Sequence, residues 1–191
     1  VKQGDKLFHD RQFAEIAITS PVSGVVKEIR RGERRKIETI IIEKTADDAS
    51  RKKFDLRNSA KSLLLESGLW ACMQQRPYAV VPNPMITPRD IFVTAFDSAP
   101  LAPDFSVVLK DKEKYIQKGV NILSTLTDGN VYVGVNGNNI YNIKGASVNA
   151  FVGPHPAGNV GIQIANVKPV NKGEVVWTLD LVTVARIGEF F

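Results

Sequence analysis

The chain has 191 residues, 43% hydrophobic and 24% charged, with a formal net charge of +5, a balance suited to one soluble domain, or a domain with a smaller attachment, that buries a sizeable core. Its longest apolar runs, such as Ile40-Ile41-Ile42 and Leu63-Leu64-Leu65, are far too short to cross a bilayer, and no signal peptide is legible. A single cysteine, Cys72, excludes an internal disulfide framework and fits a reducing compartment. The chain opens at Val1 inside what reads as a turn-and-strand pattern, as expected of a trimmed fragment.

Residues 1–45 read as short strands between turns. Gly4-Asp5 and Pro21-Val22-Ser23-Gly24 supply turn chemistry, because glycine permits positive φ and proline presets the bend. Strands are expected over 14–19, 25–29 and 37–43. Charge is uneven here: residues 1–57 hold 14 Lys/Arg against 10 Asp/Glu, and the remainder 11 against 10. Lys27, Arg30, Arg31, Arg34, Arg35 and Lys36 cluster with only Glu28 and Glu33 opposing them, and Arg51-Lys52-Lys53 follows. Such a stretch is either a solvated hairpin tip or an electrostatic contact for phosphates or an anionic membrane surface. It contains no aromatic residue for base stacking, which argues against nucleic acid.

Polar residues 46–57 read as a linker. Beyond it helices and strands alternate. Asn58 or Ser59 caps an expected helix reaching about Gln75, with Leu64, Gly68, Ala71 and Cys72 near one face and Pro77 ending it. A buried strand follows over 91–96, and Pro100 and Pro103 mark the loop after it. An amphipathic helix is expected over 111–126 through Tyr115, Val120, Ile122, Leu123 and Leu126. Then come a strand at 130–135, a turn at 136–139, a strand at 148–152, a Gly/Pro turn, a helix near 157–166 and a closing strand at 175–179. This alternation predicts an α/β fold (α+β overall) on a largely parallel sheet.

Three constellations invite a chemical reading. Leu7-Phe8-His9-Asp10-Arg11-Gln12, Glu15-Ile16 and Ser20-Pro21-Val22-Ser23-Gly24-Val25-Val26 closely match the spacing of lipoyl and biotinyl carrier domains. In those domains a lysine at the hairpin tip carries the prosthetic group as an amide. Arg11 stands at that place, and a permanently charged guanidinium cannot be acylated in that way. A barrel-sandwich hybrid without its carrier chemistry is therefore expected. The second constellation is Gly153-Pro154-His155-Pro156-Ala157-Gly158-Asn159-Val160-Gly161 after a strand, with Asp180 further on. A dinucleotide fingerprint needs G-x-G-x-x-G, whereas here four residues separate the first two glycines and two prolines remove amide donors. A tight structural turn is the better reading. Third, His9 and His155 are the only histidines, and no spacing assembles a metal site. Cys72, in Leu69-Trp70-Ala71-Cys72-Met73, reads as core packing.

Taken together, Ser20-Pro21-Val22-Ser23-Gly24 with Ile29-Arg30-Arg31-Gly32-Glu33-Arg34-Arg35, Leu69-Trp70 with Arg76-Pro77-Tyr78 and Val81-Pro82, and Ile91-Phe92-Val93-Thr94-Ala95 with Asp97 and Pro100-Leu101-Ala102 resemble the A-subunit family of the sodium-translocating NADH:quinone reductases. Gly153-Pro154-His155-Pro156-Ala157-Gly158, Val176-Trp177 and the run from Val184 to Phe190 extend the resemblance over essentially the whole chain. The hairpin after Asp10 is spelled differently.

The resemblance implies a barrel-sandwich hybrid remnant (1–45), a linker (46–57) and a Rossmann-like α/β domain (58–191). That domain would be similar to the flavin- and NADH-binding subunit of complex I and to the C subunit of the related Rnf complex. It further implies a bacterial respiratory complex of six subunits that oxidises NADH, reduces ubiquinone and exports sodium. FMN, riboflavin, FAD and an iron–sulfur centre would sit in other subunits, with no cofactor, metal or self-contained catalytic site on this chain. The chain would lie on the cytoplasmic face of the inner membrane, docked on the membrane-embedded B subunit. Quinones need an apolar wall and polar groups for their carbonyls, and the expected place is residues 151–158. Phe151 would serve as wall, His155 as donor, and Gly153, Pro154 and Gly158 would shape the loop. Arg30, Arg31, Arg34 and Arg35 are expected to meet anionic headgroups or an acidic partner face. Two alternatives stand beside this: a flavin- or NADH-binding oxidoreductase domain, and a pure assembly scaffold.

Overall fold

The computed structural model describes residues 1–45, 50–137 and 141–191. The expected turn at 136–139 and linker at 46–57 thus fall partly outside the described residues. The chain divides into two compact units, Val1–Trp70 and Ala71–Phe191.

In the first unit β1 (Lys6–His9) pairs antiparallel with β2 (Ala17–Thr19), and β3 (Gly24–Arg31) pairs antiparallel with β4 (Ile37–Lys44). The strand expected over 14–19 begins only at Ala17. The Asp10 carboxylate accepts the amides of Gln12 (2.7 Å) and Phe13 (3.1 Å), and the Ile16 amide donates to the Phe13 carbonyl, which holds the intervening residues in a turn. Helix α1 (Ala60–Ser67) starts on Ser59, whose hydroxyl accepts the Ser62 amide at 3.2 Å. It buries Leu63, Leu64 and Leu65 beside Ile16 and Ala17, and lies against β2.

The helix does not reach Gln75 as expected. Gly68 takes the left-handed conformation (φ 83°) that ends α1, a short 3-10 turn spans Leu69–Cys72, and β5 (Gln74–Arg76) follows as a strand. Cys72 is consequently exposed rather than core, and the buried side chains here are Trp70 and Met73.

The second unit holds a five-stranded sheet in the order β5-β9-β6-β7-β8, made with β6 (Ile91–Thr94), β7 (Val131–Asn136), β8 (Ser147–Phe151) and β9 (Val176–Asp180). Strands β6 to β9 are parallel and β5 pairs antiparallel with β9. The helices are α2 (Phe105–Val108), α3 (Glu113–Ser124), α4 (Val160–Val167) and α5 (Leu181–Phe190). The expected series closed at the last strand, but α5 continues from it, capped by the Asp180 carboxylate accepting the Thr183 amide at 2.7 Å. On one face Ile164 of α4 packs with Phe92 and Val176, flanked by Tyr132, Val160 and Val167. Alternation sends Ile91, Val93, Val131 and Val133 to the other face, where they are buried and where α3 and α5 lie against β7 and β6.

The parallel strands therefore run spatially as β9-β6-β7-β8, and the order reverses between β6 and β9. In open α/β sheets, ligands bind outside the carboxyl ends of the strands at such a reversal.

Candidate functional site

At the carboxyl ends of β6 and β9 lies a crevice of about 190 Å³, lined by Cys72, Gln74, Thr94, Val160, Thr178, Leu179 and Asp180. The sequence places its candidate dinucleotide turn after β8. The topology moves the question to the turn after β6, because β6 and β9 flank the reversal. That turn reads Ala95-Phe96-Asp97-Ser98-Ala99-Pro100 and contains no glycine, so nothing in it lets a pyrophosphate approach the backbone. The Asp97 carboxylate accepts the Ala99 amide at 2.8 Å, filling an acceptor role that a phosphate would otherwise take and placing like charge beside it.

The loop after β8 reaches the same turn. Thr94 of β6 directs its hydroxyl at the carbonyls of Phe96 (3.0 Å) and Gly158 (3.1 Å), and accepts the Gln163 side-chain amide at 3.0 Å. Gln163 is 2% exposed, and a Cβ at Gly134 of β7 would collide with its amide. The Gly158 amide donates to the Ser98 hydroxyl at 2.8 Å, and that hydroxyl also meets His155 Nδ1 at 3.1 Å. A side chain on Gly158 would put Cβ 2.5 Å from the Ser98 amide nitrogen, so glycine is required by contact there. The peptide bond between His155 and Pro156 is cis.

Of the five residues expected near a quinone, the structure joins His155 and Gly158 through Ser98. Gly153, Pro154 and His155 are exposed, and Gly158 is buried. Phe151 ends β8 half-buried, with its carbonyl accepting the Gly137 amide, and stands outside the Ser98 network. Ser98, Thr94 and Gln163 do not stand out in the sequence. Their signal is positional, the carboxyl end of a strand at the reversal, and it needs the strand order to be known.

Burial raises the Cys72 thiol pKa, Asp180 adds to the rise and Arg186 opposes it; the residue is exposed overall, but its thiol is sheltered at the crevice wall. Arg11 is exposed in the β1–β2 turn. His9 is exposed too, and donates from Nδ1 to the Asp10 carbonyl at 2.7 Å. Arg31, Arg34, Arg35 and Lys36 form the far end of the β3–β4 ribbon, with Arg30 and Lys27 further back along β3. Arg30 pairs with Glu28 at 2.9 Å and Lys27 with Glu43 at 2.8 Å. Arg31 donates to the Arg35 carbonyl at 3.1 Å, and Arg34 and Arg35 are exposed with φ of 54° and 61°. Among the described residues no group of three or more His, Cys, Asp or Glu is placed to hold a metal ion, and no helix is long and apolar enough to cross a membrane.

Comparison with known proteins matches residues 1–45 to the family profile described as the NqrA N-terminal barrel-sandwich hybrid domain and residues 56–191 to the NqrA second alpha/beta domain. Curated relatives include proteins named as the A subunit of a Na(+)-translocating NADH-quinone reductase. The one from Photorhabdus laumondii is 37% identical over 203 residues, that from Cellvibrio japonicus 38% over 202, and that from Vibrio anguillarum 35% over 201. Each alignment covers 100% of this chain and 45% of the relative, so the chain spans about half the length of the curated relatives it matches. The barrel-sandwich description falls on the ribbons and the α/β description on the five-stranded sheet, and with both matched in order this chain belongs to the NqrA family.

Proposed function

We propose that this chain works as part of the A subunit of a membrane respiratory complex that oxidises NADH, reduces ubiquinone and exports sodium. It docks on the membrane-embedded B subunit of that complex from the cytoplasmic side. The observation that carries this reading is the match to A-subunit relatives along all of the chain, at 37% identity to the Photorhabdus protein. In this reading the chain holds no flavin, metal or iron–sulfur centre. A turn after β6 without glycine, and a loop after β8 whose Pro154 and Pro156 offer no amide, support that part of it.

The loop 151–158 contributes to ubiquinone binding, with His155 as hydrogen-bond donor to a quinone carbonyl and Phe151 as apolar wall. The exposure of His155, and the way Ser98 and Gly158 hold it, support a contact made with a ligand presented by a neighbouring subunit. Arg30, Arg31, Arg34 and Arg35 meet anionic headgroups or an acidic partner face.

The test is made in the assembled complex carrying a full-length family member. His155→Ala is expected to raise the KM for ubiquinone, while NADH oxidation by an artificial electron acceptor, which bypasses the quinone, stays at its original rate. An unchanged ubiquinone KM sinks the quinone role of the loop. Failure to co-purify with the membrane partner sinks the docking role, and thermal stabilisation of this chain by FMN or NADH would replace both with a cofactor-binding role.

A further inference from the structure

We infer that Ser98 is a positioning residue: by donating its hydroxyl hydrogen to His155 Nδ1 it fixes the imidazole in the tautomer that carries hydrogen on Nε2, the form that presents an N–H donor to a carbonyl ligand. This rests on the quinone reading of the loop and adds to it a mechanism by which the chain prepares the donor.

The logic is one of donors and acceptors. A serine hydroxyl has one hydrogen to give and an oxygen that accepts. The Gly158 amide donates to one of the two lone pairs of the Ser98 oxygen at 2.8 Å, which leaves the hydroxyl hydrogen to be placed. Donating that hydrogen to His155 Nδ1, 3.1 Å away, gives it a partner within the protein, whereas the reverse bond leaves it to solvent; a nitrogen that accepts a hydrogen bond carries no hydrogen of its own. Neutral imidazole then bears its hydrogen on Nε2.

The support behind Ser98 is built from three elements. Gly158 cannot move off it, because its carbonyl receives Thr94 of β6 and the space where a Cβ would stand is filled by the Asp97–Ser98 backbone. Gln163 of α4 holds Thr94 and reaches the Ala157 carbonyl at 3.4 Å. The loop after β8, the end of β6 and α4 thus converge on the Thr94 hydroxyl, which holds the Gly158 that in turn bonds Ser98. A ligand carbonyl bonding to Nε2–H does not have to reorganise the ring, and preorganisation of this kind lowers the cost of binding.

His155 and His9 are the only histidines, so the tautomer can be read directly by two-bond ¹H–¹⁵N correlation NMR of ¹⁵N-histidine-labelled chain, with His9→Gln assigning the second ring. The expected result at neutral pH is a neutral His155 fraction with hydrogen on Nε2. In Ser98→Ala the pattern should shift toward a mixture, and Ser98→Thr should restore it. In the assembled complex Ser98→Ala should raise the ubiquinone KM about two- to tenfold, the worth of one hydrogen bond, with kcat little changed, and adding it to His155→Ala should bring no further rise.

A wild-type ring with hydrogen on Nδ1 overturns the proposal even if the variant folds poorly, and so does a pattern that ignores Ser98→Ala. If the tautomer follows Ser98 but His155→Ala leaves the ubiquinone KM unchanged, the positioning stands and the quinone reading falls.

Discussion

Asp90 has a fully buried side chain at the entry to β6, yet its carboxyl is held below the ordinary carboxylate range. Burial by itself would raise it. Hydrogen bonds from Lys168 (2.8 Å), the Asn130 amide (3.1 Å) and Arg89 (2.6 Å) outweigh that cost. Arg89 in turn reaches Glu174 and the carbonyls of Lys168 and Pro169, tying the start of β6 to the α4–β9 connection. Because the folded value is lowered, the stabilisation is complete above the unfolded value of about 3.9 and is lost as pH falls through the folded one. Thermal melts should therefore fall steeply below about pH 4, and in Asp90→Asn that acid-sensitive part should vanish. The same variant should cost about 1–3 kcal/mol at pH 7, discounted because Lys168 and Arg89 keep some solvent contact. A wild-type melting temperature that does not fall on acidification contradicts this account. Cys72 shows the opposite sign, since burial raises its thiol pKa. Its alkylation by iodoacetamide should reach half-maximal rate at higher pH than that of a small free thiol, because the thiolate is the nucleophile. A rate already saturated at pH 8 would contradict the sheltering of that sulfur.

At the scale of elements, α3 and α5 meet on glycine. A Cβ at Gly188 would run into the Tyr115 carbonyl, and one at Gly119 into the Val184 carbonyl, backbone against backbone on both sides. Neither obstacle can rotate away, so Gly188→Ala should destabilise by about 3 kcal/mol or more, measured by urea unfolding, even though alanine is the better helix former. Equal or greater stability in that variant would mean the two helices are not packed as described. The α3 helix was legible in the sequence because Val120 and Leu123 recur at helical spacing and are buried. Helix α5 was not legible: Val182-Thr183-Val184 is a β-branched run close behind a strand, and the Asp180 cap decides the matter only once β9 has ended there. Strand β5 was hidden for another reason. Gln74-Gln75-Arg76 carries no strand pattern, and it is a strand because β9 offers an edge to it. Ser98 stayed invisible because its meaning depends on which strands are neighbours, a property that no local window contains.

For the molecule as a whole, the resemblance carried over the entire chain, and the two matched domains bear different parts of the proposed role. The sheet domain brings the loop 151–158 to a strand end, and the ribbon domain brings charge. Strands β3 and β4 bury almost nothing but Gly24, so the ribbon's exposed tip is available for an electrostatic contact. Arg34 and Arg35 sit there at positive φ, which side chains other than glycine rarely adopt, and both are exposed. If the tip meets anionic headgroups, this chain should sediment with vesicles containing phosphatidylserine and leave neutral phosphatidylcholine vesicles in the supernatant. Each basic residue near such a surface contributes about 1 kcal/mol, so Arg34→Glu with Arg35→Glu should weaken vesicle binding by at least about thirtyfold. Binding by the unaltered chain should decay steeply as salt shortens the reach of the field to about 8 Å at 0.15 M ionic strength. Vesicle binding that ignores salt removes the electrostatic mechanism. An absence of vesicle binding, together with salt-sensitive capture by the membrane partner that the double variant abolishes, assigns the tip to an acidic protein face instead.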